Sequence, residues 1–151
     1  MRKGEAINSY YDTYLNMKAR YHGRCMFNNR TGLVGDSLQV SFDDEGRLTG
    51  RFSQRESFQS YDGMLHGGMI AAVMDSAMTK CLMGHGVVGY TGRFNIRYRK
   101  PVEISRPLDL HCTITGHYRQ LYKLKAEARH ERDRGARAVA HASFYRTAEP
   151  C

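Results

Sequence analysis

The sequence predicts an α+β fold: an antiparallel β-sheet wrapped around one long central helix, with an extra helix at the N-terminus. Three observations predict it. The longest apolar stretch, Tyr61 to Met83, opens on a glycine-rich turn and runs through Met69-Ile70-Ala71-Ala72-Val73-Met74 to Ala77, Met78, Cys81, Leu82 and Met83. A helix there has no polar face and needs cover on most sides. Two alternating segments precede it and four follow, each with one dry face and one wet face. The connections are short, and no Gly-rich spacer, long linker or internal repeat divides the chain, so residues 1–151 are read as one domain.

The first element spans about Glu5 to Tyr21, where Ile7, Tyr10, Tyr11, Tyr14, Met17 and Tyr21 recur at helical spacing. It reads as an amphipathic packing helix, making residues 1–23 or so a helical extension. GRCMFNNRTGLVGDS is rich in Gly and Asn and reads as irregular. Ser37 to Asp43 and Arg47 to Ser53 alternate on either side of Asp44-Glu45-Gly46, the pattern of a β-hairpin. SQRESFQSYDG is a polar connector into the central helix, which Gly84 and Gly86 end. The remaining strands are Val88–Lys100, Leu108–Tyr118, Leu121–His130 and Ala136–Arg146, with turns at Pro101–Pro107 and Asp133-Arg134-Gly135.

Composition narrows the function. A hydrophobic fraction of 41% and a charged fraction of 25% are those of a soluble globular protein. The apolar run is too short, and too interrupted by Asp75 and Lys80, to span a bilayer. The N-terminus has a basic start but no apolar core or cleavage pattern, so a cytoplasmic protein that does not engage membranes is expected. Cys25, Cys81, Cys112 and Cys151 are scattered with no CxxC pair, which indicates neither a zinc ribbon nor a disulfide framework. The net charge of +8 is spread along the chain. With no zinc-finger spacing and no aromatic RNA-binding motif, nucleic acid is not the expected partner, and a small polyanionic ligand is. The seven histidines form no metal-ligand pattern, and no G-x-S-x-G is present. No metal or cofactor is expected.

Asp75 is the anomaly. A carboxylate within an apolar helix is costly unless it is partnered or shifts its pKa, and such groups are candidates for chemistry. A hydroxyl from Thr79 one turn on, or from Ser76 of the partner subunit, would be the structural explanation. Gly67 and Gly68 allow a tight turn, and equally let a substrate approach helix-start N–H groups backed by the helix dipole.

His66-Gly67-Gly68, with Asp75 nine residues after the His, resembles the signature of hotdog-fold acyl-CoA thioesterases of the phenylacetate-degradation type. YTGRFNIRYRKPVEISRPLDLHC is similar to that family's following strand and turn, notably Asn95-Ile96, Tyr98, Pro101 and Leu108. The likeness covers roughly Gly32 to Phe144. It implies the hotdog fold and hydrolysis of an acyl- or aryl-CoA thioester, with coenzyme A entering as part of the substrate. Asp75 then acts as nucleophile or general base, and the Gly67 N–H as oxyanion donor. His66 orients the turn, caps the helix or contacts the carbonyl. Thr91 falls where relatives carry a Ser or Thr that holds the nucleophilic water. Ser60, with Gln59 beside it, stands where some relatives place an Asn or Gln that positions substrate or water, a departure from the pattern.

Asp75 lies eight residues after Gly67, roughly 12 Å along a helix. One thioester carbon cannot reach both in one chain, so a shared mechanism requires a homodimer with two central helices antiparallel. Such dimers can pair further into a homotetramer. Arg93, Arg97 and Arg99 alternate onto one strand face, followed by Lys100, and Arg106 lies in the next turn. Guanidinium groups suit the CoA phosphates, and Arg132, Arg134 and Arg137 are further candidates. Two other functions remain open: a non-catalytic acyl-CoA-binding or regulatory protein, and an acyl-thioester hydratase or dehydratase. The His66–Asp75 spacing speaks against the last.

Overall fold

A computed structural model describes residues 8–28 and 34–147. The helix α1 spans Ser9–Tyr21, and the hairpin strands β1 and β2 span Leu38–Phe42 and Leu48–Phe52. The central helix α2 spans Gly67–Gly84. It is followed by β3 (Gly89–Tyr98), β4 (Leu108–Tyr118), β5 (Leu121–Arg129) and β6 (Ala138–Arg146). The expected α+β arrangement is present, with every element type in the expected order. The start of the expected first helix, Glu5 to Ile7, lies outside the described residues. Asn8 caps α1 by accepting the Tyr10 and Tyr11 N–H groups, and its amide donates to the Phe42 carbonyl at 2.5 Å. The connector before α2 is less polar in place than in sequence. Glu56–Phe58 form a short 3₁₀ turn that buries Phe58 against Phe52, ring centroids 5.9 Å apart.

All six strands form one antiparallel sheet in the order β1-β2-β4-β5-β6-β3. Its inner face carries Leu48, Phe52, Leu108, Leu110, Cys112, Leu124, Ala126, Ala128, Ala138, Ala140 and Phe144, all buried. The small alanines of β5 and β6 leave room for α2, whose Val73, Met74, Ala77, Met78 and Cys81 are fully buried against this face. At the end of α2 a methyl group on Gly84 would sit 2.4 Å from a Phe42 ring carbon, so only glycine allows this approach. α1 lies against α2 and the outer strand β1, and contributes Tyr14 to the core. Among the described residues, the outer strands β1 and β3 each have one side without a paired strand. No helix among the described residues is long and apolar enough to cross a membrane.

Candidate active site

The start of α2 is set by the chain before it. His66 is extended (φ −59°, ψ 132°), and its N–H donates to the Phe58 carbonyl at 2.9 Å. The Leu65 N–H donates to Val102 at 2.8 Å. The first turn of a helix leaves four N–H groups without intrahelical acceptors. Here Met69 and Ile70 both donate to the His66 carbonyl, and Gly68 donates to His66 Nδ1 at 2.9 Å. The Gly67 N–H has no acceptor among the described residues. It stands at the positive end of α2, in position for a developing negative charge. His66 therefore serves as cap through Nδ1, which requires a neutral ring with its proton on Nε2. The Gly68 N–H, a candidate substrate contact, is taken up by that cap.

Asp75 is two turns further on and half-buried. Its Oδ1 accepts the Thr91 hydroxyl at 2.6 Å. Thr79, expected as a structural partner, does not play that role: its hydroxyl donates to the Asp75 main-chain carbonyl at 3.0 Å. Ser76, expected to act on Asp75 from a second subunit, is buried in its own protomer. The enclosing apolar surroundings expected of Asp75 are incomplete in one protomer. Gly68, Ala72, Asp75 and Thr79 form a stripe along α2 that remains partly or wholly exposed, because the sheet covers the opposite face.

Thr91 reaches Asp75 through a break in alternation. Strict period 2 would put residue 91 on the same face as Arg93, Arg97 and Arg99. Instead Thr91 pairs with Phe144 and Arg93 with Ser143, leaving Gly92 as the extra residue of a bulge. The bulge turns Thr91 to the inner face, shared with Phe94, Ile96 and Tyr98. A Cβ at 92 would meet the exposed Tyr145 ring at 2.3 Å, so that ring would have to shift to admit one.

The remaining candidates are dispersed. Gln59 Oε1 accepts the Gly63 N–H at 2.9 Å, and so holds the turn before α2. Ser60 is exposed, and its main-chain N–H closes the same turn onto Met64. Arg93, Arg97 and Arg99 occupy the outer face of β3 or its continuation, away from Asp75 of their own protomer, and form no ion pair among the described residues. Arg93 lines a groove of about 330 Å³ with Lys123, His141 and Ser143. Arg106 pairs with Glu103 at 3.1 Å. Arg137 is engaged by Asp133 at 2.7 Å, which holds that carboxyl well below the usual range, and donates to the Pro101 carbonyl at 2.7 Å.

Three residues to which sequence reasoning gave no role at the site brace this region. Lys80, read only as an interruption, is the buried charge of α2, with 1% of its surface exposed. Its Nζ donates to Asn28 Oδ1 at 2.5 Å and to the Tyr14 hydroxyl at 3.2 Å, and burial pushes its pKa down to about 8. His130, fully buried, accepts the Glu103 N–H at Nε2 (3.0 Å) and contacts the Pro107 carbonyl through Nδ1 (2.9 Å). It thus fixes the loop that pairs with Met64 and Leu65 ahead of the His66 turn. Tyr98 donates its hydroxyl to the Gly67 carbonyl at 2.7 Å. A lysine in an apolar run was the available signal for the first, whereas spacing held none for the others.

Residues 62–136, from the turn before α2 to the loop before β6, match the model of the thioesterase superfamily. The fold is shared with the Escherichia coli PaaI protein from the phenylacetic acid degradation operon (TM-score 0.76, 14% identity, 91% of this chain and 95% of that one). It is shared also with mouse thioesterase superfamily member 2 (0.72, 18%, 90% and 96%). A third match is a hypothetical thioesterase of Streptococcus pneumoniae TIGR4 solved with coenzyme A (0.67, 17%, 76% and 91%). The pneumococcal protein has also been solved with an aspartate, and separately a threonine, replaced by alanine. The matched stretch contains the whole of α2 together with the turn and strand that hold its two polar positions, and the chain belongs to the thioesterase superfamily, with the hotdog fold.

Proposed function

We propose that this protein hydrolyses an acyl- or aryl-CoA thioester to the free acid and coenzyme A, in an active site shared between two copies of the chain. The observation that carries this reading is the pair of features on α2: an N–H at Gly67 with no acceptor among the described residues, and a carboxylate at Asp75 held by Thr91. They are roughly 12 Å apart along the helix. The Gly67 N–H of one subunit stabilises the oxyanion formed on the thioester carbonyl. Asp75 of the other, packed antiparallel, attacks the carbonyl carbon or takes a proton from the attacking water. In the first route the thiolate leaves, and water then cleaves the acyl-aspartyl anhydride. In the second, water adds directly and the thiolate leaves from the tetrahedral intermediate. Both routes yield a carboxylic acid and CoA.

Several observations support this reading. The open stripe of Gly68, Ala72, Asp75 and Thr79 is small enough for a second helix to approach closely. The CoA found with the pneumococcal relative supports a CoA thioester as substrate. The aspartate and threonine replaced in that relative lie as far apart in its sequence as Asp75 and Thr91 do here. Arg93, Arg97 and Arg99 remain available for the phosphates of the nucleotide.

The test is a thiol-release assay over short, long and aromatic acyl-CoAs, with Asp75→Asn beside the wild type. The substitution is expected to lower kcat by about 10²–10⁴-fold. A wild type that hydrolyses no member of the panel, or an Asp75→Asn protein as fast as the wild type, contradicts the reading.

A further inference from the structure

The peptide between Gly67 and Gly68 is held at both ends. Its carbonyl accepts the Tyr98 hydroxyl at 2.7 Å, and its N–H donates to His66 Nδ1 at 2.9 Å. The preceding peptide is held at its carbonyl, which accepts the Met69 and Ile70 N–H groups. A glycine between two fixed peptides has lost the freedom that makes Gly-Gly a poor helix start. The Tyr98 ring closes one side of it as well, since a Cβ on Gly67 would sit 3.6 Å from that ring.

We propose that Tyr98 and His66 are positioning residues for the oxyanion donor: by clamping the Gly67–Gly68 peptide they fix the direction of the Gly67 N–H. This rests on the hydrolytic reading above. Tyr98 is half-exposed, so its hydroxyl is not needed to complete a core. Burial also raises the phenol pKa, which keeps it a donor. β3 thus braces both ends of the chemistry, Asp75 through Thr91 and Gly67 through Tyr98.

Two readouts on the same proteins test the clamp. In steady-state hydrolysis, Tyr98→Phe keeps the ring contact and loses only the hydroxyl. Its kcat should fall roughly tenfold, less than the 10²–10³-fold cost of removing an oxyanion donor outright, with KM within about twofold. His66→Asn, which keeps an acceptor for the Gly68 N–H, should retain more of kcat than His66→Ala. In amide exchange followed by NMR, the Gly68 N–H should be protected and the Gly67 N–H not, with Gly68 exchanging faster in Tyr98→Phe. An unchanged kcat in Tyr98→Phe, a loss confined to KM, equal losses in the two His66 variants, or a Gly68 amide as unprotected as Gly67 would each overturn the clamp. If the wild type hydrolyses nothing, the hydrolytic reading fails, and the positioning role with it. The exchange data then decide separately whether the peptide is clamped.

Discussion

Thr91 supplies to Asp75 what no residue of α2 does. A hydrogen bond to a charged carboxylate is worth about 1.5–3 kcal/mol. Here it fixes one carboxylate oxygen; in the proposed mechanism the other faces the reacting atom. Thr91→Val keeps the branched shape and removes the donor. It should cost roughly 10–100-fold in kcat by that energy, while Thr91→Ser recovers most of the loss. Steady-state kinetics of the three proteins check this, and an unimpaired Thr91→Val protein contradicts it. The bond could not be read from the sequence by counting. Alternation assigns position 91 to the outer face, and only the bulge at Gly92 reverses the assignment. An isolated glycine in a strand pattern is the available hint. The outer placement of Arg93, Arg97 and Arg99 does follow from alternation, because those residues lie beyond the bulge.

At the scale of elements, Lys80 is the pin between α1, the following loop and α2. Its folded pKa of about 8 lies below the ordinary 10.5 because burial disfavours the ammonium. Between these values the folded protein has released a proton that the unfolded chain still binds, so stability rises with pH across that window. Below it the buried charge costs about 3 kcal/mol. Burial raises Tyr14 to about 12 from 10.0, so above pH 10 the unfolded chain loses a proton the folded one keeps, and stability falls. Urea unfolding at pH 7, 8, 9 and 10 should show the rise, and Lys80→Met should flatten it. A variant with the same slope as the wild type would show that Lys80 is not its source. At the far end of α2, Gly84→Ala forces a methyl group into the Phe42 ring and should destabilise the fold by about 1–3 kcal/mol, read in the same unfolding experiment. Element identities were legible because half-buried antiparallel strands print their faces directly as alternation. β4 begins and ends where the pattern does, at Leu108 and Tyr118. The order β1-β2-β4-β5-β6-β3 was not legible, since it depends on which strands meet after the chain passes α2. The bracing role of Lys80 was not legible for a related reason: one charge in an apolar run looks only like an interruption until the partners on α1 and its loop are in place.

For the whole molecule, the proposed mechanism gives one protomer two half-sites and no complete one. The Gly67 turn and Asp75 lie on the same helix, too far apart for one carbonyl carbon, and the stripe between them is left open by the sheet. The account therefore stands or falls on whether the two groups act across subunits. Complementation measures this directly. Gly67→Pro removes the N–H at the first helical position, where proline is well tolerated. His66 is already extended as a residue before proline must be, and the space beside Gly67 admits a side-chain atom at ordinary contact distance. Gly67→Pro and Asp75→Asn should each be close to inactive alone. Mixed by co-refolding in equal amounts, half of the dimers are hybrid and half of their sites regain both groups, so activity should return to about a quarter of the wild type for a twofold-symmetric site. A mixture no more active than its two components would place Gly67 and Asp75 outside a common site, and would contradict the account.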